Sequence, residues 1–180
     1  MNRFSTKKIV VSGLMIALVF IVTYLPFLHI PSPVNQGYFN IGDSVIMIAA
    51  ILLGRKSGLV VGALGSALAD VALGSFIFAP VTFVVKGIEG YLVGLIAADT
   101  DGNSKGNIYR IVAVVMGALT MAAGYFVSEA TILRLFDVNL GYAAAVAELP
   151  GNLVQGAASA VVGYIAVSVF VKAGIRKRLA

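Results

Sequence analysis

Glu148, Asn152 and Gln155 stand at i, i+4 and i+7 in an otherwise apolar run, so on a helix they form one polar stripe. A carboxylate and two amides on one face offer donors and acceptors together, the means of gripping a polar ring at two points. Lys86 and Glu89 lie three residues apart and Tyr125 and Glu129 four apart, so each pair shares a helix face and the first can form an ion pair. Asp43 falls in the first turn of one apolar run, where a carboxylate complements the helix N-terminus, and Asp70 falls in the last turn of another. This chemistry is recognition, not catalysis. There is no cysteine, His29 is the only histidine, and no H-E-x-x-H motif, serine–histidine pairing or G-x-x-x-x-G-K-[ST] phosphate loop occurs. Asp99, Asp101 and Asn103 lack the spacing and distal glutamate of a calcium loop, so neither metal nor cofactor is expected.

The elements that must position these groups are membrane helices. Hydrophobic residues make up 59% of the 180 and charged residues 12%, against roughly 25% charged in soluble domains. The pattern predicts an all-α integral membrane protein: a single domain over 1–180, with six transmembrane helices at about 8–28, 41–54, 57–73, 80–98, 108–131 and 144–171. The first apolar run is long enough to span and no small-residue cleavage site follows it, which argues against a signal peptide. Between His29 and Asn40, Pro31, Pro33 and Gly37 preclude continued helix and predict a long external loop. The second and third segments, separated by Arg55-Lys56, are short for a span. Local bilayer thinning or burial within protein would accommodate them.

Positive charge predicts orientation, because short cytoplasmic loops collect Lys and Arg. Six spans put Arg3, Lys7, Lys8, Arg55, Lys56, Lys105, Arg110, Lys172, Arg176, Lys177 and Arg178 on one side and only Arg134 on the other. Both termini are therefore expected in the cytoplasm, and the formal charge of +5 reads as topology and not as affinity for nucleic acid. In that orientation every intramembrane polar group lies in the outer half of the bilayer. The expectation is a pocket open to the outside, not a through-channel, with Tyr38 and Phe39 of the external loop placed to cover it. Small residues recur at packing distance: Gly13 and Ala17, Gly58 and Gly62, Gly90 and Gly94, Gly156 and Ala160. The first pair, near the cytoplasmic end of helix one, is the candidate for docking a partner.

Tyr38-Phe39-Asn40-Ile41-Gly42-Asp43, Leu52-Leu53-Gly54-Arg55, Gly62 to Asp70, Lys86-Gly87-Ile88-Glu89-Gly90 and Leu149 to Gln155 together resemble the substrate-binding S components of energy-coupling factor (ECF) transporters, over nearly the whole chain. The resemblance implies a non-enzymatic binder of a small vitamin or vitamin precursor in the bacterial cytoplasmic membrane. Its implied partners are a transmembrane coupling (T) subunit and two cytoplasmic ATPase subunits, with docking through Gly13 and Ala17. The residues marked for substrate are Phe39, Asn40, Lys86, Glu89, Tyr125, Glu129, Glu148, Asn152 and Gln155. Hydroxymethylpyrimidine, the thiamine precursor, suits these acids and amides best; pyridoxine, pantothenate and riboflavin are alternatives. Pantothenate is disfavoured by the excess of acids, and thiamine by the absence of tryptophan, which the thiamine-binding branch places around its ligand. A stand-alone proton-coupled carrier is the rival of another class. The lack of an inverted repeat and of polar groups in the inner half weighs against it.

Overall fold

A proline sets the end of the first helix. Pro26 has no N–H to donate and disfavours helical geometry at the residue before it, so α1 (Thr6–Tyr24) stops four residues short of the expected boundary at Leu28. In this computed structural model, which describes residues 6–32, 38–97 and 106–175, a 3-10 turn (Pro26–Leu28) follows. The expected external loop then contains an antiparallel pair, β1 (His29–Pro31) with β2 (Tyr38–Asn40), in the register His29 to Asn40, Ile30 to Phe39 and Pro31 to Tyr38. Expectations resting on Arg3, Pro33, Gly37, the turn at Asp99 to Asn103, Lys105 and Arg176 to Arg178 lie outside the described residues.

Apart from this hairpin the regular elements among the described residues are helical: α2 (Gly42–Leu53), α3 (Arg55–Ala72), α4 (Ala79–Ala97), α5 (Asn107–Ala130) and α6 (Tyr142–Lys172), with a second 3-10 turn at Leu133–Leu135. Among the described residues four helices, and not the six expected, are long and apolar enough by themselves to cross a membrane: α1, α4, α5 with the turn that follows it, and α6, with α3 not among them. α2 is too short, since 12 residues rise only about 18 Å. All of its residues are buried, and it packs against α1, α3, α4 and α6. A helix apolar on all sides belongs inside protein. Of the two ways to accommodate its shortness, burial in the bundle is therefore the one observed. Gly54, at φ +95°, takes the left-handed conformation that lets the chain turn directly from α2 into α3.

Around this central post the backbones of α3 and α4 approach closely. A Cβ built on Gly58 would strike the carbonyl of Gly90, one on Gly62 the carbonyl of Lys86, and one on Gly94 the backbone of Arg55. Two of the small-residue pairs thus face each other, and dispersion across a backbone-to-backbone contact holds the helices together where lipid gives no hydrophobic drive. Gly156 sits against Ala118 of α5 in the same way. Gly13 has open space around it. It lies with Ala17 on an exposed face of α1 alongside Ile9, Val10, Leu14 and Leu18.

Candidate ligand-binding site

Thr82, Lys86 and Glu89 follow one another at i, i+4 and i+7 on the inner face of α4, and Lys86 is the pivot of the buried polar groups there. Its ammonium pairs with Asp43 of α2 and stands 3.7 Å from Glu89 Oε2. It also lies 5.4 Å from the centroid of the Tyr125 ring, on α5, in a cation–π contact. The second oxygen of Asp43 accepts a hydrogen bond from Gln155 Nε2 at 2.8 Å. Gln155 Oε1 in turn accepts from the backbone N–H of Asn40 at 2.9 Å. One connected chain therefore runs from β2 through α6 and α2 to α4. With Asp43, Lys86 and Glu89 only 1%, 3% and 0% exposed, such pairing is the condition for keeping the charges at all.

Two expectations change here. The closer partner of Lys86 is Asp43 and not Glu89, so Asp43 is more than a helix-end residue. Glu89 lies beneath Lys86, has no hydrogen bond to either oxygen, and is not part of the cavity wall.

Beside this network opens a small, partly open cavity. Phe39 and Asn40 of the hairpin, Lys86 of α4 and Tyr125 and Glu129 of α5 line it, together with Glu148, Asn152 and Gln155 of α6. Eight of the nine substrate candidates thus converge, and Glu89 alone does not. Gln155 reaches the wall with both ends of its amide already committed to Asp43 and Asn40. α6 carries its three polar groups past Pro150, a proline inside a 31-residue helix. Membrane helices tolerate such a residue when neighbours satisfy the carbonyl it leaves free.

The hairpin is fastened across the cavity by side chains. The Tyr38 hydroxyl donates to Asp70 Oδ1 and the Ser32 hydroxyl to Glu148 Oε1. Asn40 Oδ1 accepts from the N–H of Gly42 at 2.7 Å and from the Thr23 hydroxyl at 3.4 Å. The Phe39 ring rests on Gly151, where a Cβ would overlap it. Burial, and then the adjacent Asp70 carboxylate, hold the Tyr38 phenol well above its ordinary pKa, so it remains a donor at any working pH.

The wall also includes Tyr38, expected to cover the pocket, Asp70, expected at a helix end, and residues not singled out from sequence: Thr23, Ser66, Ser75, Phe78 and Thr82. A signal existed for some of them. Thr82 lies one turn before Lys86, Ser66 one turn before Asp70, and Tyr38 alternates with Asn40 along a strand. Thr23, Ser75 and Phe78 carried none. The Thr82 and Tyr125 hydroxyls bond to each other at 2.9 Å. Glu129 Oε2 and Asp70 Oδ2, both buried, have no hydrogen-bond partner. Among the described residues no cluster of histidine and carboxylate side chains could hold a metal ion. The arrangement can grip a solute that brings donors to those acceptors.

Two comparisons bear on this geometry. The family described as "ECF-type riboflavin transporter, S component" matches residues 3–172, a span that includes every helix and the whole cavity. A protein of Pyrococcus woesei described as "Uncharacterized protein in gap 3'region" is 39% identical over 135 residues, which is 75% of this chain and 83% of that protein. The chain belongs to the family of ECF-type riboflavin transporter S components.

Proposed function

We propose that this protein captures a small heteroaromatic vitamin or vitamin precursor at the outer face of the cytoplasmic membrane. It delivers that solute through a transmembrane coupling subunit and two ATPase subunits that supply the energy. Six crossings put the cavity outside, while Lys7, Lys8, Arg55, Lys56, Arg110 and Lys172 stay on the cytoplasmic side. Gly13 and Ala17, on the exposed face of α1, form the contact with the coupling subunit. Hydroxymethylpyrimidine is the first choice of ligand. The observation that carries this reading is the convergence of Asp70, Glu129, Glu148 and Asn152, from three different helices, on one cavity edged by Phe39, Phe78 and Tyr125. Such a wall meets an aminopyrimidine with acceptors at its edges and aromatic groups at its faces. Riboflavin is the second reading, favoured by the family's own description.

Thermal unfolding of the solubilised protein, with hydroxymethylpyrimidine, pyridoxine, riboflavin or pantothenate added, tests the proposal. A tight ligand stabilises by RT ln(1 + [L]/Kd), about 4 kcal/mol at a thousandfold excess over Kd. Hydroxymethylpyrimidine is expected to raise the midpoint most, without ATP, and Glu148→Ala or Asn152→Ala to abolish the rise. A larger rise with riboflavin selects the second reading. No rise with any of the four rejects both.

A further inference from the structure

We infer that the cavity admits its ligand only in unphosphorylated form, and that Glu129 and Glu148 are the residues that reject the phosphate ester. This rests on the vitamin reading above and names a selectivity of the same site. Around the cavity and directly beneath it five acids are buried: Asp43, Asp70, Glu89, Glu129 and Glu148, each 5% exposed or less. Lys86 is the one buried cation among the described residues. It is already held by Asp43, with Glu89 on its other side, so it has no free charge to give a second anion. Arg134 does not compensate, because it lies exposed outside the wall with its stem against Gly141. The N-terminus of α2, which points at the site, is already met by Asp43 in its first turn and by Asn40 Oδ1 on the N–H of Gly42.

The two glutamates carry the discrimination for a further reason. Glu148 is fastened to the hairpin through Ser32, whereas Glu129 lines the cavity with one buried oxygen unpartnered, an acceptor that calls for a donor. A hydroxyl or amine on the ligand answers it. A phosphate dianion would stand among carboxylates with no cation to pair with, and like charges a few ångströms apart at low effective dielectric lower affinity by about a hundredfold or more.

The protein in lipid nanodiscs is titrated calorimetrically with three alcohol and ester pairs: riboflavin and its 5′-phosphate, pyridoxine and its 5′-phosphate, hydroxymethylpyrimidine and its phosphate. Whichever alcohol binds is expected to exceed its ester by about a hundredfold. In Glu129→Gln/Glu148→Gln the alcohol is expected to bind more weakly and that ratio to fall about tenfold, with the unfolding midpoint without ligand reporting the fold. If the double variant loses the alcohol, Glu129→Gln alone is compared by the same criterion. A ratio near one in the unaltered protein overturns the inference and leaves the vitamin reading standing. An unchanged ratio in the variant overturns the assignment to these glutamates. Failure of every alcohol to bind the unaltered protein overturns the vitamin reading, and the selectivity with it.

Discussion

At the scale of single residues, buried charge is held partly by partners from other elements: Asp43 pairs with Lys86 and Gln155, and Asp70 and Glu148 take hydroxyls of the hairpin segment, while Glu129 Oε2 and both Glu89 oxygens have no hydrogen bond. Lys86 is the test of this, because three other side chains depend on its position: Asp43 through the ion pair, Glu89 beneath it and the Tyr125 ring beside it. Removing one member of a buried pair leaves the other uncompensated, which costs about 3–5 kcal/mol. Lys86→Met is therefore expected to lower the unfolding midpoint sharply, and Asp43→Asn in the same background to recover part of the loss, since it removes the stranded charge. A double-mutant cycle on thermal or denaturant unfolding measures the coupling. If the single and double variants unfold alike, Lys86 and Asp43 are not energetically linked.

Elements meet in two distinct ways, and glycine distinguishes them. Between α3 and α4 the glycines are buried at backbone contacts, so Gly62→Leu drives a side chain into the carbonyl of Lys86. Overpacking of this kind costs about 1–3 kcal/mol or more, and it also displaces the helix that carries the pivot lysine. On α1, Gly13 faces open space, so Gly13→Leu is expected to leave both the unfolding midpoint and ligand binding unchanged. The same substitution is expected to abolish co-purification with the coupling subunit. Midpoint, affinity and pull-down measured on both variants separate internal packing from docking. Equal recovery of the complex with Gly13→Leu removes this face of α1 from the proposed interface.

For the molecule as a whole, the testable claim is its placement in the bilayer. The chain has no cysteine, so single introduced thiols report position without background. Val138→Cys, at the cavity end, is expected to react with a membrane-impermeant maleimide in intact cells, and Lys56→Cys and Lys172→Cys, also exposed, only after permeabilisation. Labelling of Lys172→Cys from outside would invert the orientation, and with it the proposed direction of capture. Membrane residence, the presence of long apolar helices and the polar stripe of α6 were legible in the sequence. They rest on local quantities: hydropathy summed over about 20 residues, and side chains three or four apart sharing a face. The early end of α1 was legible too, in Pro26, although the apolar run continues past it. What no local pattern contains is which faces confront each other. Asp43 and Lys86 are 43 residues apart. Gln155 reaches Asp43 and Asn40 across 112 and 115 residues. Sequence spacing therefore paired Lys86 with its neighbour Glu89 and marked Gln155 for the ligand. The three-dimensional packing turned one carboxylate away from the cavity and committed the other side chain to holding the hairpin. It decided both because a buried charge or amide takes the partner nearest in space, and that partner is set by how the helices stack around α2.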